Sequence, residues 1–314
     1  MTSVSIIIPV YQSASTIVET LESVFNQIFK DIEVIVVNDG STDDLDEKIE
    51  PFDEKIIYLK QNNLGAAAAR NNGIKHSSGE ILAFLDADDI WLPEKLVLQL
   101  PLFEQNPKAG VVFGNVFFLH QGRIQSKTYF DLYTPSCGNI FLELFALNFI
   151  PMSSVLMRRN VLEQVGFFDE SCYVEDYQLW LKISNFWEFN YIQTPVAIYR
   201  ISPQQMSMNY TRAAASLLQV KEDVYQSCFD QFIGADKNIL ERGLYNKYLK
   251  LALCYMRDAK KNEATQILRR YKHVRGVSLT YVFFQFLIKL PNPLMLAVVK
   301  LWDKFYQKPE FGFV

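Results

Sequence analysis

The sequence predicts an α/β fold on a parallel sheet, followed from about residue 209 by a mostly helical region. Two β-branched runs, Val4-Ser5-Ile6-Ile7-Ile8 and Ile32-Glu33-Val34-Ile35-Val36-Val37, lie on either side of an amphipathic stretch. A strand, a helix and a strand in so short a span make a right-handed crossover between parallel strands. A third apolar run, Ile81-Leu82-Ala83-Phe84-Leu85, ends in Asp86-Ala87-Asp88-Asp89. A run this short reads as a buried central strand, so its carboxylates emerge at the strand's carboxyl end, where open α/β sheets bind ligands.

Taken in order, Val4 to Ile8 is a strand stopped by Pro9. Ile17, Leu21, Val24, Phe25 and Ile28 then repeat at helical spacing, with Ser13 or Ser15 as the cap. The second strand ends in Asn38-Asp39-Gly40-Ser41-Thr42-Asp43, which puts Asp39 at the same sheet edge as Pro9 and Tyr11. A third strand, Lys55 to Leu59, precedes the small-residue helix Ala66-Ala67-Ala68-Ala69-Arg70, where alanines permit close approach to a ligand. Arg70 projects from it, toward a ligand or simply toward solvent. After the aspartate strand, Pro93 opens a helix. Gly110 to Gly114 and Val116 to Leu119 read as two further strands, and Pro151 to Arg159 as a strand leading into a helix. Glu175-Asp176 begins another helix, where carboxylates favour the positive dipole end.

Composition sets bounds. With 314 residues, 49% hydrophobic and 14% aromatic, the chain can bury one large core or two. Cys137, Cys172, Cys228 and Cys254 are scattered without short paired spacing, which argues against a zinc site or disulfide framework and for a reducing, cytoplasmic setting. The first residues, Met1-Thr2-Ser3-Val4, carry no basic segment of the signal-peptide kind. Charge is divided: residues 241–314 hold 14 Lys/Arg against 5 Asp/Glu, net +9, which leaves net −13 for residues 1–240. No nucleic-acid partner is expected.

The clustered carboxylates Asp86, Asp88 and Asp89 repel one another unless a cation lies among them, and hard oxygen ligands suit Mg²⁺ or Mn²⁺, which in turn attracts a diphosphate. The alternative is a solvated turn before the Pro93 helix. Tyr11 offers a flat face to a nucleobase, and Asp39 can accept the imide N–H of uracil or thymine.

The order Ile-Ile-Pro-Val-Tyr, Val-Asn-Asp-Gly-Ser-Thr-Asp, Asn-x-Gly-x-x-x-Ala-Arg-Asn-x-Gly, Gly-Glu-Ile-Leu-Ala-Phe-Leu-Asp-Ala-Asp-Asp, Gly-Phe-Phe-Asp-Glu and Glu-Asp-Tyr-Gln-Leu-Trp resembles the family-two inverting nucleotide-sugar glycosyltransferases over roughly residues 3–200. The resemblance implies a GT-A, Rossmann-like catalytic domain over 1–208 and a helical C-terminal region over 209–314. It implies that Pro9, Tyr11 and Asp39 surround the base and that Arg70 serves the nucleotide's anionic part. It also places Asp86 near the ribose, a divalent metal on Asp88 and the general base at Asp176, with Asp176 as a simple helix cap the alternative. A UDP-sugar donor is favoured because Tyr11 and Asp39 suit a pyrimidine. The acceptor is expected in cell-surface polysaccharide or lipid-linked glycan synthesis.

Two departures bear on the activity. The Gln-x-x-Arg-Trp element of processive synthases is replaced by Gln178-Leu179-Trp180-Leu181-Lys182, so one addition per encounter is expected. The segment after Arg200 resembles the family's lid ending in Ser207, but Ile201-Ser202-Pro203 stands where many relatives carry a histidine. His76, His120 and His273 share no spacing with the carboxylates and read as surface residues.

In the C-terminal region, Leu244 to Met256 and Asn262 to Tyr271 read as a helix pair. The apolar segments Val277 to Ile288 and Leu294 to Val299 lie among Arg269, Arg270, Lys272, Arg275, Lys289 and Lys300, as in a segment resting peripherally on the inner face of an anionic membrane. A homodimer or domain-packing surface is the alternative. Two competing classes remain: a haloacid-dehalogenase-type phosphatase, whose Asp-x-Asp also follows an apolar strand, and a non-catalytic nucleotide- or sugar-binding relative.

Overall fold

The structure, a computed structural model, describes residues 3–202, 209–228 and 231–306. They divide into one compact unit of residues 3–144 and 148–202 and another of residues 145–147, 209–228 and 231–306. In chain order the elements are β1 (Val4–Val10), α1 (Ile17–Phe25), β2 (Ile32–Asp39), α2 (Leu45–Ile49), β3 (Ile57–Gln61), α3 (Ala66–Lys75), β4 (Ile81–Phe84) and β5 (Ile90–Trp91). There follow α4 (Lys95–Gln99), α5 (Pro101–Gln105), β6 (Ala109–His120), β7 (Arg123–Thr128), α6 (Phe141–Ala146), β8 (Leu156–Arg158), α7 (Asn160–Val165), α8 (Glu175–Ser184) and β9 (Glu188–Ile201). The helical region holds α9 (Tyr210–Cys228), α10 (Gly234–Arg257), α11 (Lys261–Arg275), α12 (Leu279–Lys289) and α13 (Asn292–Tyr306).

The described strands form one nine-stranded sheet, ordered β3-β2-β1-β4-β8-β6-β9-β5, with β7 also paired to β6. β3, β2, β1 and β4 run parallel, while β8 is antiparallel to both β4 and β6. The chain builds outward from β1 through β2 and β3, then returns to lay β4 on the other side of β1. Strand order therefore reverses between β1 and β4, which brings the carboxyl ends carrying Tyr11 and Asp86 side by side at the switch point where such sheets bind ligands.

Both sheet faces are covered, which is why these strands read as continuous apolar runs. Val4, Ile6, Ile8, Val34 and Val36 share a core with Ile17, Leu21 and Val24 of α1, while Ile35 and Val37 pack on Ala69 of α3. The helical region has its own core, which joins Leu218, Leu244, Tyr248, Leu251, Leu268, Tyr271, Phe284, Leu287, Met295 and Val299.

Several local expectations change. β1 runs through Pro9 to Val10 instead of stopping there. Leu85 N–H donates to Ile7 O, so residues 7 and 9 face β4; Pro9 has no N–H to return to Leu85 O, and the ladder with β4 ends there while β1 stays paired to β2 through Val10. Neither Ser13 nor Ser15 caps α1 through its hydroxyl: Thr16 holds the cap position, Ser13 contributes its carbonyl to Ile17 N–H, and Ile28 lies beyond the helix. The two strands expected over 110–119 are one twelve-residue strand, β6, with register shifts at Gly114 and Asn115 against β9.

Candidate active site

Asp86, Asp88 and Asp89 occupy a turn at the carboxyl end of β4, held from three sides. Asp89 N–H donates to Asp86 O at 3.0 Å. From α1 and its cap, Thr16 Oγ1 donates to Ala87 O at 2.9 Å, and Thr20 Oγ1 lies 3.0 Å from the same carbonyl and 2.8 Å from Asp89 O. Asp89 is fully buried; it accepts from the Ser153 hydroxyl and, at 2.9 Å, from Arg200 N–H. Burial, then the neighbouring charges of Asp88 and Asp86, push its carboxyl well above the usual range, while those two hydrogen bonds work the other way. Arg200 also donates from Nε to Asp88 O at 2.8 Å and pairs with Glu19 at 2.5 Å. So anchored, the turn leaves the side chains of Asp86 and Asp88 partly exposed.

At the ends of β1 and β2, Pro9 is half-buried, Tyr11 is exposed and Asp39 is buried. Asp39 organises the loop after β3: Oδ1 accepts from Gln61 Nε2 at 2.8 Å and Leu64 N–H at 2.9 Å, and Oδ2 accepts from Gly65 N–H at 2.8 Å. Of its roughly four acceptor positions one remains, on Oδ2, for a base N–H. Gly40, next in the chain, has φ +77°, and a Cβ there would lie 2.8 Å from Asn63 N, so the turn demands glycine.

Arg70 does not project into solvent. Its buried guanidinium bridges Glu175 at 2.5 Å and Asp86 at 2.8 Å and lies 5.7 Å from the Phe168 ring centroid, with Nε left without a partner. Burial alone would ease its proton off; Asp86 and Glu175 more than reverse this and hold it charged. Asn71, the next residue, ties Phe168 in place through both its backbone N–H and carbonyl.

Glu175 and Asp176 form the first turn of α8. Asp176 accepts from Tyr177 N–H at 2.6 Å. Burial and then Glu175 push its carboxyl up to about 7, against the opposing pull of Tyr177 N–H and Arg70, with Asp86 adding to the rise. A carboxylate at that value exchanges a proton near neutrality, as a general base does.

The expected nucleotide, ribose and base-catalyst residues therefore gather on one edge: Asp86 is joined through Arg70 to Glu175, the neighbour of Asp176, while Tyr11 and Asp39 close the adjoining strands. Ser153 is the structural partner that spacing did not single out, and Asp89, expected beside a cation in the carboxylate cluster, is instead buried between Ser153 and Arg200. Ser207 lies outside the described residues. His76 and His273 are exposed and His120 partly so.

Among the described residues no group of three or more His, Cys, Asp or Glu side chains converges into a metal cage. The donor set still fits a hard divalent ion, because Mg²⁺ and Mn²⁺ sites of the phosphate-transfer kind use one or two carboxylates and complete the shell with phosphate oxygens and water. Asp88 would supply one carboxylate, and Asp86, half committed to Arg70, a second oxygen.

Residues 5–166 match the family model described as Glycosyl transferase family 2. A glycosyltransferase of Rickettsia bellii is 38% identical over 189 residues, 58% of this chain but only 26% of the relative's length. The UDP-Glc:alpha-D-GlcNAc-diphosphoundecaprenol beta-1,3-glucosyltransferase WfgD of Escherichia coli is 33% identical over 189 residues, 57% of this chain and 69% of that protein. Among solved structures, S. aureus TarS 1-349 in complex with UDP-GlcNAc has a TM-score of 0.66 at 17% identity, covering 97% of this chain and 93% of the other. The mannosyltransferase PcManGT of Pyrobaculum calidifontis, in complex with GDP-Man and Mn²⁺, has a TM-score of 0.62 at 19% identity, covering 96% and 88%. The fold is of the GT-A glycosyltransferase type.

Proposed function

The chain belongs to glycosyl transferase family 2, and from that premise we propose that it moves one sugar from a UDP-sugar to a hydroxyl acceptor by a single inverting displacement. The observation that carries this is the link from Asp86 through Arg70 to Glu175, which couples the donor-side turn to the helix turn bearing Asp176. The family match spans the aspartate turn itself, and the phosphatase alternative has no support.

In this reading Tyr11 stacks on the base, the remaining Oδ2 acceptor of Asp39 takes the imide N–H, and Pro9 closes the side of the base site. Asp86 faces the ribose while Arg70 holds its other oxygen. Asp88 would hold a divalent cation, whose positive charge would stabilise the diphosphate leaving group. Asp176 takes the proton of the acceptor hydroxyl as that oxygen forms its bond to the anomeric carbon and the bond to the diphosphate oxygen breaks. Arg70 fixes the orientation of Glu175 and keeps a positive charge near Asp176, so that the base is not protonated outright at neutral pH. The lipid-linked acceptor named for the E. coli relative supports a diphosphate-lipid glycan as the acceptor class in this reading.

Calorimetric titration with UDP, GDP and dTDP, each with and without Mn²⁺, tests the donor half. UDP is expected to bind most tightly and to lose at least about tenfold in affinity when Mn²⁺ is withheld or when Asp88→Ala removes the ligand. Equal binding with and without Mn²⁺, or an unchanged titration in Asp88→Ala, overturns the role given to Asp88. A preference for GDP overturns the pyrimidine assignment of Tyr11 and Asp39.

A further inference from the structure

α12 carries apolar residues all round, and such a helix is normally buried all round. Here only one side is. Phe284 and Leu287 point into the helical core, both 1% exposed. On the other side Leu279 is 91% exposed, Val282 53%, Phe283 37% and Phe286 60%, at the i, i+3, i+4, i+7 spacing of one helix face. α13 repeats the division: Met295 and Val299 are buried, whereas Leu294 and Leu301 are more than half exposed. Two consecutive helices thus each present a second apolar face that the described residues leave uncovered.

What covers it is indicated by charge. From Ala264 to Trp302 the sequence holds Arg269, Arg270, Lys272, Arg275, Lys289 and Lys300 and not one Asp or Glu. Arg270 is paired with Glu222, and Arg275 stacks over the Tyr245 ring at 4.7 Å. Arg269, Lys272, Lys289 and Lys300 are exposed. In a symmetric pair of chains the same patch meets itself, so these like charges would be brought together. An anionic lipid surface instead neutralises them and accepts the apolar side chains between its headgroups. The face is a resting surface, not a span: α12 has 11 residues where a crossing helix needs about 20, and no described helix is long and apolar enough to cross a membrane.

We propose that the exposed apolar faces of α12 and α13 dock the protein on an anionic bilayer, with Leu279, Val282, Phe286, Leu294 and Leu301 entering the interface. This goes beyond the transfer reaction and stands whether or not the donor assignment holds.

The full chain, without nucleotide or acceptor, is floated with vesicles of phosphatidylcholine alone or mixed with phosphatidylglycerol. Wild type is expected to float with the mixed vesicles and not with the neutral ones, a comparison that needs no variant. Val282→Asp/Phe286→Asp, at exposed positions outside the core, is expected to cut partition at least about tenfold, and Lys289→Ala/Lys300→Ala several-fold. Equal flotation with neutral vesicles removes the electrostatic part of the inference. Wild type that ignores both vesicle types, or a folded Val282→Asp/Phe286→Asp protein that floats like wild type, overturns it. So does a wild-type dimer in sedimentation that Phe286→Asp dissociates without any vesicle binding. Because nothing is transferred in these measurements, their failure is distinct from failure of the catalytic reading, which a soluble acceptor tests.

Discussion

Glu175 and Asp176 are neighbours in one helical turn, yet their surroundings assign them different tasks. Glu175 is tied to Arg70 at 2.5 Å. Among the described residues Asp176 has only its neighbour's N–H at hydrogen-bonding distance, and burial together with Glu175 pushes it up to about 7. The transfer step needs the ionised form, so kcat/KM is expected to rise about tenfold between pH 6 and pH 8, with a midpoint near 7, because the carboxylate goes from about a tenth to about nine-tenths ionised. The stability consequence has the opposite direction. A carboxyl whose folded pKa lies above its unfolded value binds its proton more tightly in the folded state, so its contribution is fully present below the unfolded pKa and lost as pH climbs through about 7. Asp176→Asn removes that loss. The variant is expected to be inactive, to bind nucleotide as wild type does, and to be at least as stable as wild type to urea at pH 8. Retained turnover, or a flat pH profile in wild type, removes Asp176 from the role of base.

α3 shows how closely a helix must approach a sheet for Arg70 to reach across the carboxyl end. Its Ala69 lies against Ile35 and Val37, and a Cβ added at Gly73 would come within 2.6 Å of Ile7 Cγ2 and 3.3 Å of Val37 Cγ2. Ala in place of Gly favours a helix by about 1 kcal/mol. The clash decides the sign, since Ile7 is fully buried in a central strand and its branched side chain has no free rotamer to take. Gly73→Ala is therefore expected to destabilise by about 1–3 kcal/mol in urea unfolding; a neutral or stabilising result shows that α3 can lift without cost. The sequence made α3, β1, β2 and β4 legible because short apolar runs and a small-residue helix are local signals. β9 was not legible: its 14 residues contain Pro195 and the polar residues Asn190, Gln193 and Thr194, and its pairing with β6 lies some 80 residues back. β6 read as two strands because Gly114 and Asn115 break the apolar run, although the backbone passes through them with only a register shift. The site follows the same rule. Carboxylates at a strand end or a helix start mark themselves, which is how Asp86, Asp88 and Asp176 became candidates; Ser153 and Arg200 hold Asp89 from 64 and 111 residues away, and no local pattern announces such contacts.

Among the described residues the two larger hydrophobic cores lie one around β1, β2 and α1 and the other joining α9 to α13. Every residue assigned to nucleotide, metal or base lies in the first unit. A ligand that binds only the folded form stabilises what it binds by RT ln(1 + [L]/Kd), about 2.7 kcal/mol at a hundredfold excess over Kd. For a unit of about 200 residues this raises the melting midpoint by about 5–10 °C. Scanning calorimetry with saturating UDP and Mn²⁺ is accordingly expected to resolve two transitions, of which only the one belonging to the nucleotide-binding unit moves. Phe284→Ala, which removes a fully buried ring from the second core, is expected to lower only the other, because a cavity there costs about 3–5 kcal/mol without touching the sheet. A single transition that responds to both the nucleotide and Phe284→Ala would mean instead that the two cores fold cooperatively. The docking region could then not loosen on a membrane without the sheet, and with it the base at Asp176, loosening too.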